Sequence, residues 1–285
     1  MVTINTGLRH PWNLSADSAG SIHDDATAND LGFRAGTVAG DIHLEQFGGL
    51  LTSAFGQKWF EDGNLSLYFM TPTAHREPVD AVLELPSPPP VDNVQVPARL
   101  MTPEGILVAE GTASVGDVEE PSALHARDRR GVDPSTLRML HGVTIGQSLD
   151  SQIRKPWAAD QLRRFQEGSM TDALPWYAGE SPWGGPICSP LTACRLLVAG
   201  VTRSIEDDCG EFVGMYGAIE IRNVQGPLML DTEYEVTGQV LDVSETPKTE
   251  VLWFTTQARD ISTGTVVAEL VMMTRLLKES SPLYS

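Results

Sequence analysis

The residues of this chain best suited to chemistry lie in Ser21-Ile22-His23-Asp24-Asp25, where one imidazole stands beside two carboxylates and follows a further acid, Asp17, by six positions. An imidazole titrates near neutral pH and a carboxylate can orient it, so the group is suited to moving protons. Nine residues after His23 comes Gly32-Phe33, and then Gly36-Thr37-Val38-Ala39-Gly40-Asp41-Ile42 opens an apolar helical pattern. The first N–H groups of a helix have no partner within it and carry partial positive charge, so such an entry can meet negative charge.

The elements around these residues follow from periodicity. Val2 to Leu8 reads as a short extended piece, and the Ser-, Asp- and Gly-rich segment after it as the loop that carries the motif. From about Asp41 to Phe60 apolar residues recur at helical spacing, which predicts one long, mostly buried helix with Asp41 capping its start. Strand-like runs follow at Leu65 to Met70, Val79 to Leu85, Val94 to Met101 and Ile106 to Val115, the last two joined by a Pro103-Glu104-Gly105 turn. A loop, a helix and then an antiparallel meander is the order of a hotdog, a curved sheet wrapped on a central helix.

The polar, charged segment within 119–136 reads as a linker, and the order then repeats. Leu140 to Leu149 reads as a strand, Ala158 to Glu167 as a short helix and Pro190 to Thr202 as an apolar helix. Strands are expected at Phe212 to Ile221, Thr232 to Val243, Val251 to Asp260 and Val266 to Leu276. The expected class is α+β: a double hotdog of two antiparallel sheets, each on a central helix, packed as a pseudo-dimer of residues 1–118 and 137–285. Such pairing covers edge strands and buries apolar sheet surface.

Composition narrows the partners. A 41% apolar content with six Trp suits a globular core, and the formal charge of −18 repels nucleic acid and anionic membranes. No run is long and apolar enough to span a bilayer, and the amino terminus lacks a basic stretch followed by an apolar one. Three cysteines give no disulfide framework, so a reducing cytoplasm is expected. His10, His75, His125 and His141 show no metal-ligand spacing, and no Gly-rich phosphate loop precedes a helix, so neither metal nor cofactor is expected. His43, three residues past Gly40, reads first as a satisfied histidine on a buried helix surface and second as a residue facing the pocket. The arginines at 127, 129 and 130 and at 163 and 164 read first as a solvated linker and a solvated helix face, and second as places for a phosphate-bearing ligand.

The motif resembles the active-site strip of the MaoC-like, R-specific enoyl-CoA hydratases: an Asp, an Asn-Pro, a His five residues after the Asp, an acid two further on, then Gly-Phe and an Ile-Ala-His-Gly-Met helix entry. His23, Asp25, Gly32-Phe33 and the small-residue entry match. Ser18 stands five residues before His23 and Asp17 six, Gly20-Ser21 replaces Asn-Pro, and Gly40-Asp41 replaces His-Gly. The resemblance implies a hydratase or dehydratase acting on an enoyl or hydroxyacyl thioester, with His23 as acid and base and Asp17 as its partner. Gly40, Asp41 and Asp25 then belong to the substrate-binding site, the Asp41 N–H meeting the thioester oxygen.

A second copy of the strip, Met170 to Tyr177 with Gly184 to Cys188, keeps the Asp and Pro as Asp172 and Pro175. Tyr177 replaces the His, and Pro190, which has no N–H, falls at the donor position. The first half is therefore the expected active half, with Trp176 and Tyr177 either lining its substrate channel or packing in the core. Coenzyme A is favoured over an acidic carrier protein as thioester partner, because like charges repel. The altered spacing leaves two other readings open: a hotdog isomerase or thioesterase using His23 with another acid, or an inactive acyl-thioester binding module. Monomer and homodimer are both compatible with the sequence.

Overall fold

The computed structural model describes residues 1–87 and 92–285. The first half contains β1 (Val2–Asn5), α1 (Asp25–Asp30), α2 (Gly40–Glu45), α3 (Gly48–Phe55), α4 (Lys58–Asp62), β2 (Gly63–Phe69), β3 (Asp80–Leu85), β4 (Val94–Met101) and β5 (Leu107–Val115). The second contains β6 (Gln152–Arg154), α5 (Ala158–Glu167), α6 (Pro190–Val198), α7 (Arg203–Asp208), β7 (Gly214–Asn223), β8 (Tyr234–Glu245), β9 (Thr249–Asp260) and β10 (Val266–Leu277). Period-2 patterning drives the strands: in β3, Ala81, Leu83 and Leu85 turn inward, and in β4, Val96, Ala98 and Leu100 do. Among the described residues no helix is long and apolar enough to cross a membrane.

The two expected sheets are one. Strand order is β1-β3-β4-β5-β2-β7-β10-β9-β8-β6, antiparallel throughout, so each half repeats the same internal order and the halves join where β2 pairs with β7 from Asn64↔Arg222 to Tyr68↔Ala218. Backbone hydrogen bonding at this seam satisfies two strands that would otherwise be bare edges. The two central helices lie together at the junction, where Val38, Ala39 and Ile42 of the first half pack on Leu191 of α6.

Three other expectations are corrected. The long first helix is three short ones: it breaks before Gly48, where Gly48-Gly49 has weak helical propensity, Asp172 accepts the Gly49 N–H at 2.6 Å and any Cβ on Gly48 would collide with the Tyr177 hydroxyl, and it breaks again at Gly56, whose φ of 64° ends α3. Leu140 to Leu149 is irregular, since its backbone meets β8 only at its end, through the Gly146 and Leu149 N–H groups and the Gln147 carbonyl around a bridge at Ser148, and the strand falls later, at β6. Segment 119–136 is not a loose linker: Leu124 is buried on the outer sheet face beside Val251, Trp253 and Val271, and the Val132 N–H donates to the Val243 carbonyl at 3.0 Å.

Charge also crosses the seam, buried. Glu45 of α2 accepts two hydrogen bonds from Arg164 of α5, at 2.8 and 2.9 Å, and one from the Ser189 hydroxyl at 2.5 Å. Arg164 is thus 6% exposed and its face of α5 is not solvated, because Glu45, 1% exposed, needs a partner. Arg9 pairs with Asp172 at 2.9 Å, and Arg195 of α6 with Asp41 of α2 at 2.7 Å.

Removing one member of a buried pair leaves an uncompensated charge, so Arg164→Met should lower unfolding stability by about 3–5 kcal/mol. The double substitution Glu45→Leu with Arg164→Met should recover most of that loss. Urea unfolding of the three proteins measures both effects.

Candidate active site

A cavity of about 320 Å³ opens at the junction of the halves. The first half supplies His23, the helix entry from Thr37 to Gly40, His43 of α2 and Phe69 at the end of β2. The second supplies Thr202 and Glu206 at α7, Tyr216 of β7, and Thr274 and Arg275 of β10.

The loop that carries His23 is shaped by the carboxylates around it. Asp24 caps α1, accepting from the N–H groups of Ala26 and Thr27 and from the Thr27 hydroxyl, and those bonds, the hydroxyl's foremost, hold its carboxyl below the usual range. Asp25 accepts the Gly36 N–H at 2.7 Å and so pins the helix entry to α1. His23 is half-buried, and its Nδ1 lies 2.8 Å from the Thr37 carbonyl. A carbonyl only accepts, so Nδ1 is the donor in this bond, and Nε2 is left without a bond to any described residue.

Gly40 begins α2 on the cavity wall, where a Cβ would run into the Phe69 ring. Ala39 precedes the helix without a side-chain cap, and no described residue accepts from the N–H of Gly40 or Asp41. Asp41 does not cap the helix as expected. Its carboxylate is buried and held by Arg195, one oxygen unpartnered among the described residues, and it does not line the cavity. Burial opposes the charge on Arg195, but Asp41 more than restores it and raises the guanidinium's pKa.

His23 and Gly40 are therefore brought together at the cavity, and Asp41 lies behind its wall. Asp25 acts through the loop. Asp17 is exposed in the preceding turn and makes no side-chain contact with His23. Trp176 and Tyr177 are elsewhere: with Phe60 and Trp183 they form an edge-to-face aromatic cluster, ring centroids 5.8 to 6.5 Å apart, which fills the ground around the second motif copy. Tyr177 is fully buried, its hydroxyl unpartnered among the described residues, burial before the Asp172 charge keeping it protonated. Pro190 opens α6 as expected, and that helix start is already capped by the Ser189 hydroxyl, which accepts from the Thr192 N–H.

Sequence reasoning missed the second half's share of the cavity. Glu206 accepts from the Thr202 hydroxyl at 2.7 Å and offers a carboxylate opposite the motif. Tyr216 is held protonated by burial and then by the nearby Asp41 charge, and its hydroxyl bonds to no described residue. Nothing in their spacing announces either, since only the tertiary packing of α7 and β7 brings them to the cavity. His43 is buried as expected but only half satisfied: Nε2 meets the Thr73 hydroxyl at 2.9 Å, while Nδ1 has no partner among the described residues.

No protein-family model matches the sequence, and no curated protein matches it. Among solved structures, the chain is similar to a MaoC domain dehydratase from Chloroflexus aurantiacus, with TM-score 0.66 and 11% identity over 97% of this chain and 94% of that one. It is similar to a conserved Mycobacterium tuberculosis protein described as having a double hotdog fold, with TM-score 0.60 and 13% identity over 96% and 95%. A MaoC-like dehydratase gives TM-score 0.54 and 14% identity over 96% and 97%. The fold is a double hotdog.

Burial pushes the His43 pKa from 6.5 down to about 4. Below pH 6.5 the unfolded chain takes a proton that the folded chain refuses until about pH 4, so stability is complete above 6.5 and falls across that window. The full loss is about 3 kcal/mol. Unfolding of native protein and His43→Gln across this range should show a flatter profile in the variant; parallel profiles would remove the assignment.

Proposed function

We propose that this double hotdog chain is a hydratase or dehydratase acting on an enoyl or 3-hydroxyacyl thioester of coenzyme A. The observation that carries the reading is the pairing, on one cavity, of a His23 ring with a free Nε2 and a helix entry with unpartnered N–H groups. In hydration, Nε2 takes a proton from water as its oxygen adds to the β-carbon. The thioester oxygen gains negative charge as the enolate forms, and the N–H of Gly40, which lines the cavity at the start of α2, stabilises it. Proton return to the α-carbon completes the addition, and the reverse sequence gives dehydration.

The acid that serves His23 is assigned to Glu206 rather than Asp17, because Glu206 lines the cavity and Asp17 does not, although both carboxylates are exposed. The Asp41 carboxylate would oppose an enolate if it faced the substrate. Its ion pair with Arg195 turns it away and offsets its charge. A cytosolic setting suits such a substrate and agrees with three buried, unpaired cysteines.

With crotonyl-CoA, loss of the conjugated-enoyl absorbance without release of free thiol is the expected result. His23→Ala should lower kcat by about 100- to 10,000-fold, the range for loss of a general acid–base group. Glu206→Gln should lower kcat as well, while Asp17→Asn should retain turnover; the reverse pattern would return the partner role to Asp17. Thiol release by native protein would select a thioesterase, and binding without any turnover would select a binding module.

A further inference from the structure

Cations are scarce in this chain, with 20 Lys and Arg against 38 Asp and Glu. Five of them nonetheless converge on one groove of about 630 Å³ on the outer face of the sheet: Arg127, Arg129, Arg130, Lys248 and Arg275. The acids on this groove are Asp128 and Glu245, and Glu245 is taken by Lys278 at 2.8 Å. Among the described residues none of the five cations is in an ion pair.

The groove is built rather than incidental. Ser122 donates to Glu220 at 2.5 Å and Leu124 is buried, so the segment bearing the three arginines is braced against the sheet. Arg127 lies 3.5 Å over the Tyr68 ring, and Arg275 lies 5.2 Å from the same ring and donates to its hydroxyl at 2.7 Å. Two guanidinium groups are thus gathered on one aromatic ring. Arg129 lies 5.6 Å over Trp253, with its Nε buried and unpartnered among the described residues. Holding like charges together raises their mutual repulsion, and an unpaired buried N–H adds to the cost; a polyanion in the groove relieves both.

Arg275 and Met215 line this groove and the His23 cavity alike. We propose that the groove binds the phosphate groups of the substrate's non-reacting end, a diphosphate-bearing tail such as that of coenzyme A, while the acyl end occupies the cavity. The proposal rests on the thioester reading above. Planar guanidinium groups hold phosphate oxygens in pairs, and their convergence suits several phosphates on a small molecule.

The test measures binding of coenzyme A by calorimetry, and turnover of crotonyl-CoA against crotonyl-pantetheine, which lacks the phosphates. Native protein is compared with Arg129→Gln and with Arg127→Gln/Arg130→Gln, the latter pair being exposed and so separable from folding effects. Both variants should weaken coenzyme A binding roughly tenfold or more, and the native preference for crotonyl-CoA in kcat/KM should fall in parallel. Native affinity for coenzyme A should also fall as salt rises. Unchanged affinity in the exposed pair, or equal use of both thioesters by native protein, would overturn the groove and leave the hydratase reading standing. Weakened coenzyme A binding with no turnover of either thioester would keep the groove and sink the hydratase reading. Inorganic phosphate binding as tightly as coenzyme A, or turnover of an enoyl carrier protein alone, would overturn the proposal.

Discussion

The pairing of β2 with β7 is the constraint on which the rest of this structure depends. Two half-sheets of identical internal order meet there through backbone hydrogen bonds, and neither half keeps a bare strand at the seam. Once the seam is made, the helices inside the two curves are forced together, with Ile42 and Leu191 in one apolar contact. The cavity lies at this junction and takes its wall from both halves.

The same junction explains the unusual charge of the first central helix. Asp41 and Glu45 are buried on a helix that a single half could not satisfy, and Arg195 and Arg164 reach across from the other half to do so. Ions withdrawn from water are costly unless paired with good geometry, so these contacts tie the register of one half to the other more than they add stability. They also remove a chemical conflict, because a free Asp41 carboxylate beside the helix entry would weaken any anion-stabilising role of its N–H groups.

The two strips, around His23 and around Tyr177, differ in a consistent direction. Around His23 the helix entry is uncapped and a cavity remains; around Tyr177 the space is occupied by aromatic rings and the helix start is capped by Ser189. The sealed copy has not become idle. Asp172 accepts a hydrogen bond from Gly49, and Tyr177 packs against Gly48, so the remnants of the second strip set where the first half's helix breaks.

The sequence by itself determined the repeat, the α+β order and the loop that carries His23. Each of these is written in local patterns: period-2 strands, a helical apolar stripe, and a motif read within a few dozen residues. The exact agreement of α5 with its expected span, and the near agreement of β8 to β10, have the same local origin. Only the tertiary structure decided that the two sheets are one, that the first helix breaks at Gly48, and that Arg164 is buried. It likewise separated Asp17 from His23 and brought Glu206, Tyr216 and Arg275 to the cavity. All of these depend on contacts between residues more than a hundred positions apart, or on the conformation of a loop. Spacing along the chain carries no record of which far surface will close against a given side chain.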